Sequence, residues 1–329
     1  MLIQMKFSKN LKKEENSLMV SKKTDFPYGD LYTDLSPEKW KNLKNIKDID
    51  IYIDPEEIKS FMSGNLEITL SEIKKFKDIV ELIMSYVSKS VSHTNCKFPT
   101  PLIIAIAGSV SVGKSTFSKI FQLLLSRIYK SENVELVTSD SFLYPNSILE
   151  KKGLMQRKGF PESYNTKLLY DFLSNIQSGI KSVEIPKYSH LVYDIIEDEN
   201  IIVSSPSILI VEGINVLQTP IGIDDNYEQD ISHFFDFSIY LDADEPVIRK
   251  WYIERFLDLR KEAFSDESSF FNRFTSINDD EAVDLATTIW ETINLRNLNE
   301  NILPTRNRAS MIVKKNENHM IEELWLRKI

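Results

Sequence analysis

The segment Gly108-Ser109-Val110-Ser111-Val112-Gly113-Lys114-Ser115 places glycines, a lysine and a hydroxyl at the spacing of a phosphate-binding loop. An apolar run, Leu102 to Ala107, precedes it, and an amphipathic run follows from Lys114, so the context is strand, turn, helix. Each residue type has a task there. Glycines let backbone N–H groups turn inward around phosphate oxygens, Lys114 reaches the β/γ oxygens of ATP, and the Ser115 hydroxyl ligates Mg2+. A glycine turn ahead of a helix would account for the glycines but not for the Lys-Ser pair at this register.

Passing a phosphoryl group to an alcohol needs a carboxylate near the γ-phosphate to relieve the acceptor of its proton. Asp140 follows the apolar run Val134 to Thr138, and Glu212 follows Ile208 to Val211. Ligands of parallel α/β sheets gather beyond the carboxyl ends of the strands, so both acids point toward the cradle. On pattern alone Asp140 reads equally well as a loop cap or a base, and Glu212 better as a magnesium or water partner. Developing charge also calls for a cation, and Arg255 is a candidate, although a lone helical arginine is commonly a solvated ion-pair partner. The aromatic span Trp251, Tyr252, Phe256, Phe264, Phe270, Phe271 and Phe274 is explained by core packing as readily as by an apolar acceptor pocket.

These residues need elements to hold them. From Leu102 onward, short apolar runs alternate with amphipathic segments, the grammar of strands crossing over through helices into a parallel sheet. Strands are expected at Leu102–Ala107, Val134–Thr138, Ile208–Val211 and Phe235–Leu241. Helices are expected at Lys114–Tyr129, Thr166–Gln177 with Gly179 as a stop, Glu245–Ala263 and Glu281–Leu295. Asp194 to Val203 reads as a hairpin around Glu197 to Asn200.

Upstream, Ser36-Pro37, Asp54-Pro55-Glu56-Glu57 and Thr69-Leu70-Ser71-Glu72 are helix-start signatures. Ile73, Phe76, Val80, Ile83 and Val87 then share one helix face and form a core stripe. The expected division is a flexible tail over 1–35, a helical region over 36–100 and a P-loop domain over 101–329, with His93 to Pro101 as linker. The fold class is α/β, a mainly parallel sheet flanked by helices with a helical N-terminal extension.

The formal charge of −9 gives no reason to expect a broad basic face for nucleic acid. No apolar run approaches the ~20 residues of a membrane helix, and the lysine-rich start lacks a signal peptide's apolar region, so a cytoplasmic location is expected. The single cysteine, Cys96, excludes an internal disulfide and a multi-cysteine zinc site, and reads as a bystander.

A longer series of segments carries a resemblance. GSVSVGKS from Gly108, TSDSFLYPN around Asp140, RKGFPESY from Arg157, KYSHLVYDII from Lys187 and IVEGINVLQ from Ile210 are followed by FDFSIYLDA, WYIERF and NILPTRNRA. In this order they resemble the bacterial type I pantothenate kinases, from Leu102 to the C-terminus. The resemblance implies phosphorylation of pantothenate to 4′-phosphopantothenate, the first step of coenzyme A biosynthesis, by a homodimer inhibited by coenzyme A. It implies that Lys114 and Ser115 hold ATP and magnesium, that Asp140 is the base and that Arg255 steadies the transferring group. Tyr188, His190, Tyr193, Tyr252 and Asn294 fall on positions similar to those contacting pantothenate or the pantetheine-like tail of coenzyme A. Leu259 stands where the family often has an aromatic residue, and Lys119 where arginine is common. A uridine or sugar-phosphate kinase of the same fold, or a non-catalytic ATP sensor, are the rival readings.

Overall fold

In the computed structural model the structure describes residues 31–35, 57–58, 70–91, 101–130, 133–218, 230–264 and 266–328. Its strands are β1 (Tyr32–Asp34), β2 (Leu102–Gly108), β3 (Val134–Thr138), β4 (Ser182–Ser189), β5 (Asp194–Ser204), β6 (Ile208–Glu212), β7 (Phe237–Asp242), β8 (Met311–Lys315) and β9 (Ile321–Arg327). Its main helices are α1 (Leu70–Val91), α2 (Lys114–Ile128), α3 (Asn146–Lys151), α4 (Thr166–Gln177), α5 (Glu245–Ala263) and α6 (Asp279–Ile289).

Seven strands form one sheet in the order β1-β9-β8-β7-β2-β6-β3. The five from β8 to β3 are parallel, while β9 and β1 extend the edge antiparallel. Every residue of β2, β6 and β7 is buried, as expected of strands covered on both faces. The α1 stripe of Ile73, Phe76, Val80, Ile83 and Val87 is buried, and Phe76 meets Phe117 of α2 at a ring distance of 5.0 Å. Helix α4 is capped by Asn165, whose side chain accepts from the Leu168 amide, and ends before Gly179 at φ 78°.

Three elements differ from expectation. Tyr32–Asp34, expected within a flexible tail, pairs with β9 as an edge strand, and the buried Tyr32 hydroxyl lies within hydrogen-bonding distance of the Arg306 and Ala309 carbonyls at 3.0 and 2.9 Å. Residues 194–203 are not a hairpin: β5 is one strand running back along β4, and the chain reverses at residues 190–193. The acidic segment instead makes a bulge, because Pro186 pairs with Asn200 and Tyr188 with Ile195, leaving Lys187 alone opposite residues 196–199. Asp198 takes the left-handed backbone there at φ 59°. The last long helix starts at Asp279, capped by an Asn278–Glu281 capping box, and widens into π-helical turns at Trp290–Asn294 and Leu298–Ile302. The signatures at Ser36-Pro37 and Asp54-Pro55, the tail before residue 31, most of the linker and Cys96 lie outside the described residues.

Candidate functional site

Register brings the chemistry together. Glu212, the last residue of β6, pairs with Ile106 of β2 on one side and Thr138 of β3 on the other. The loops leaving β2 and β3 therefore emerge beside it, and these carry the phosphate cradle and Asp140.

The cradle turns through left-handed backbone at Gly108 (φ 142°), Ser111 (φ 60°) and Gly113 (φ 90°). A Cβ on Gly108 would lie 2.5 Å from the Leu241 carbonyl oxygen of β7, so this strand pairing itself requires glycine. The Lys114 ammonium donates to the Ser109 carbonyl at 2.8 Å, across the mouth of its own loop. Ser109 and Val112 are buried, while Val110 and Ser111 are partly exposed at the rim. Ser115, on the first turn of α2, donates from Oγ to Glu212 Oε1 at 2.9 Å. Two hard oxygen donors thus stand side by side at the phosphate end, the donor chemistry a magnesium ion takes.

Asp140 sits in a short 3₁₀ turn, Ser139–Phe142, whose start is fixed by the Thr138 hydroxyl accepting from the Asp140 amide. Burial raises the Asp140 carboxyl above the usual range, opposed by Lys114, Lys158 and Arg255. Burial also raises Glu212, opposed by Lys114, and lowers Lys114, opposed by Glu212 and Asp140. Arg255 acts on both Lys114 and Asp140, so this exposed side chain of α5 is electrostatically part of the same group.

A second wall is aromatic. Tyr188 is the penultimate residue of β4, His190 and Tyr193 form the reversal after it, and Tyr188 meets the other two rings at 5.1 and 6.3 Å. The reversal is fastened to the aromatic segment: the Phe270 amide donates to the Leu191 carbonyl at 2.7 Å, and the Phe270 ring lies 4.7 Å from Tyr193. Burial pushes the Tyr193 hydroxyl up to about 12, with Asp140 adding to the rise and Tyr252 close by. Tyr252 is raised by burial too, with the Asn294 amide opposing. The structure therefore gathers Asp140, Tyr188, Tyr193, Tyr252 and Asn294, while His190 is exposed at the rim near Arg255, Glu212, Lys119 and Lys158.

Residues that the sequence left unassigned also stand here. Lys158 donates to Asn146 Oδ1 at 2.7 Å and to the Tyr193 carbonyl, and its ammonium lies 4.4 Å from the Tyr193 ring centre. Burial lowers its pKa to about 8, against the pull of Asp194 and Asp140. The sequence places Arg157 and Lys158 as cations near Asp140, but nothing in the spacing of RKGFPESY tells which of them meets the carboxylate or gives it a role. Tyr164 is buried with its hydroxyl beside Asp140, held there by a bridge between Leu143 and Tyr164. On the far side, Lys315 of β8 donates to the Val112 carbonyl at 3.0 Å, and Trp251 stacks on His319 at 4.0 Å. Among the described residues there is no cluster of three or more His, Cys, Asp or Glu that could hold a metal.

Residues 103–274 match the Phosphoribulokinase / Uridine kinase family. A pantothenate kinase of Brevibacillus brevis is 45% identical over 315 residues, covering 92% of this chain and 98% of its own. A pantothenate kinase of Bradyrhizobium sp. strain BTAi1 is 44% identical over 308 residues, covering 91% and 96%. The chain belongs to the pantothenate kinase family. Among solved structures, D-glycerate 3-kinase from Cryptococcus neoformans superimposes with a TM-score of 0.56 at 12% identity, over 76% of this chain and 98% of that one. That likeness speaks to the P-loop kinase fold alone. The family is one of ATP-using P-loop kinases, and the fold expected from strand and helix alternation is the fold observed. No helix among the described residues is long and apolar enough to cross a membrane.

Proposed function

We propose that the kinase transfers the γ-phosphoryl group of ATP to the hydroxyl of pantothenate, forming 4′-phosphopantothenate. One observation carries the reading: the Asp140 carboxyl is within electrostatic reach of Lys114 of the cradle, Arg255 of α5 and the Lys158–Tyr193 wall, so a base stands where both reactants would meet. Asp140 takes the proton of the attacking hydroxyl; burial raises its carboxyl, which favours proton acceptance, and Lys114, Lys158 and Arg255 oppose that rise. Lys114 draws charge from the β/γ oxygens, and Arg255 meets charge developing on the transferred group. Ser115 and Glu212 would hold Mg2+, which when bound neutralises phosphate charge.

Pantothenate offers a carboxylate, an amide, two hydroxyls and an apolar gem-dimethyl group. The wall of Tyr188, Tyr193, Tyr252 and Asn294, with His190 at the rim, supplies hydrogen-bonding tips on apolar rings, which suits such a mixed ligand. Coenzyme A, carrying a pantetheine tail, would enter the same wall while its phosphates meet Lys114, Lys119 and Arg255, making it a feedback inhibitor competitive with ATP. A homodimer working in the cytoplasm completes the reading, testable by light scattering and fractionation. The deciding experiment is ADP release with Mg2+ against pantothenate, uridine and ribulose 5-phosphate. Turnover selective for pantothenate is expected; preference for either other acceptor overturns the assignment.

A further inference from the structure

Lys158 stands next to Gly159, and that glycine is held with unusual completeness. Its backbone is left-handed at φ 90°, and its amide donates to Ser163 Oγ at 2.9 Å. Its carbonyl accepts two side-chain amides, Asn215 Nδ2 at 2.8 Å and Asn297 Nδ2 at 2.9 Å. The donors come from different elements, the loop after β6 and the short α-helical turn Leu295–Asn297 between the two π-helical turns.

The amides are themselves oriented. Asn301 donates to Asn297 Oδ1 at 2.9 Å, and Gln218 donates to the Asn301 carbonyl at 2.6 Å and reaches Asn215 Oδ1 at 3.4 Å. One donor suffices to offset the hydration that the half-buried Gly159 carbonyl loses. Here two amides converge on it and two further residues fix which way each amide faces, so direction as well as satisfaction is specified. What that direction controls is the residue attached: Lys158 has two of its three N–H groups engaged, by Asn146 and the Tyr193 carbonyl, leaving one for an acceptor group beside Asp140.

The network also joins the two halves of the site. Asn215 is three residues beyond Glu212, and Asn297 is one helical turn beyond Asn294, so the strand end holding the phosphate side and the helix lining the acceptor side both grip one peptide. Widened π turns recur at functional sites, where they re-aim side chains that a regular helix would point elsewhere.

We propose that Asn215 and Asn297 are positioning residues, which together lock the Gly159 peptide so that the Lys158 ammonium faces Asp140 and the acceptor. This rests on Lys158 being the acceptor-side cation of the pantothenate kinase reaction. Misplacing a charged group by about 1 Å can cost on the order of 10²-fold in rate, so the network's contribution is readable in kinetics.

The test is a double-mutant cycle with N297A, K158M and N297A/K158M, recording kcat and KM for pantothenate and for ATP together with melting temperature. N297A is expected to lower kcat about tenfold in the native background, leave KM for ATP unchanged, and cost less than about twofold once Lys158 is absent. Equal losses from N297A with and without Lys158 would mean a merely structural role and overturn the proposal alone. Wild-type kinetics for K158M would overturn the reading of Lys158 and the proposal with it. Should N297A melt too low to assay, N215A, at a half-buried position, enters the same cycle with the same criteria.

Discussion

Ser115 Oγ and Glu212 Oε1 are hydrogen-bonded at 2.9 Å across 97 residues of chain. The bond ties the first turn of α2 to the end of β6, and so sets the one-sided geometry of the phosphate end: hydroxyl from the helix, carboxylate from the sheet. Replacing Glu212 by Gln keeps the shape and removes the charge. E212Q is expected to lower kcat about 10²-fold and raise the Mg2+ concentration for half-activity. Because burial disfavours the ionised carboxyl, its melting temperature at pH 8 should equal or exceed that of the native protein. ADP release across a Mg2+ titration, with melting curves, checks both; unchanged turnover would remove Glu212 from the site.

D140N separates binding from chemistry. The amide keeps the 3₁₀ turn but cannot take a proton, so turnover should fall by about 10²- to 10⁴-fold while ATP affinity stays within about twofold. K114A should instead lose turnover and weaken ATP binding together. Equilibrium nucleotide binding beside ADP release distinguishes the two; loss of ATP binding in D140N would mark Asp140 as structural or metal-holding.

The alkaline limb of the pH profile should report Lys158. Its pKa is lowered to about 8 because burial disfavours the ammonium, so the cation beside Asp140 is present below that pH and lost above it. Activity is expected to decline as pH rises through about 8. K158R keeps its charge at any assay pH, so a lower but flatter profile up to pH 9.5 is expected. An alkaline limb identical in K158R would assign it to another group, Lys114, also lowered by burial, and Lys315, lowered to about 8, being the alternatives.

The two cradle glycines should differ in tolerance. At Gly108 a Cβ meets the Leu241 backbone oxygen at 2.5 Å, and the backbone at φ 142° is nearly closed to other residues. At Gly113 the obstacle is the Lys315 ammonium at 2.8 Å, the movable tip of a long side chain. G108A should cost about 2–5 kcal/mol, from strain plus overpacking. G113A should cost about 1–3 kcal/mol, from left-handed strain alone. Denaturant unfolding measures both, and equal costs would contradict the rigid-versus-flexible distinction.

Leu259 lies one helical turn beyond Arg255 on α5 and is half-buried. An aromatic ring there would add about 0.5–1.5 kcal/mol of stacking with an adenine, hence about two- to tenfold tighter binding. L259F is expected to strengthen inhibition by coenzyme A by that factor, read from inhibition curves at several ATP concentrations. Unchanged inhibition would place the inhibitor's base elsewhere.

The sequence by itself determined four of the five parallel strands (β2, β3, β6 and β7), the cradle and the order of the acids. Leu102–Gly108, Ile208–Glu212 and Phe237–Asp242 are runs of apolar residues that must be buried on both faces, and the cradle needs glycines at turns that close against a neighbouring strand. Local chemistry of that kind is written in neighbouring letters. The tertiary structure alone decided what meets what. Residues 196–199, with Asp198 in left-handed backbone, form a bulge instead of the expected hairpin tip; the reversal falls at residues 190–193, and Tyr193 packs on Phe270. Lys158 is an unremarkable lysine in its motif, and becomes a depressed-pKa cation beside Asp140 through burial among Tyr188, Tyr193 and Asn146. Its neighbour Gly159 is gripped by Asn215 and Asn297, 56 and 138 residues downstream. A pKa and a grip of that range depend on desolvation and on contacts between distant segments, which no local pattern encodes.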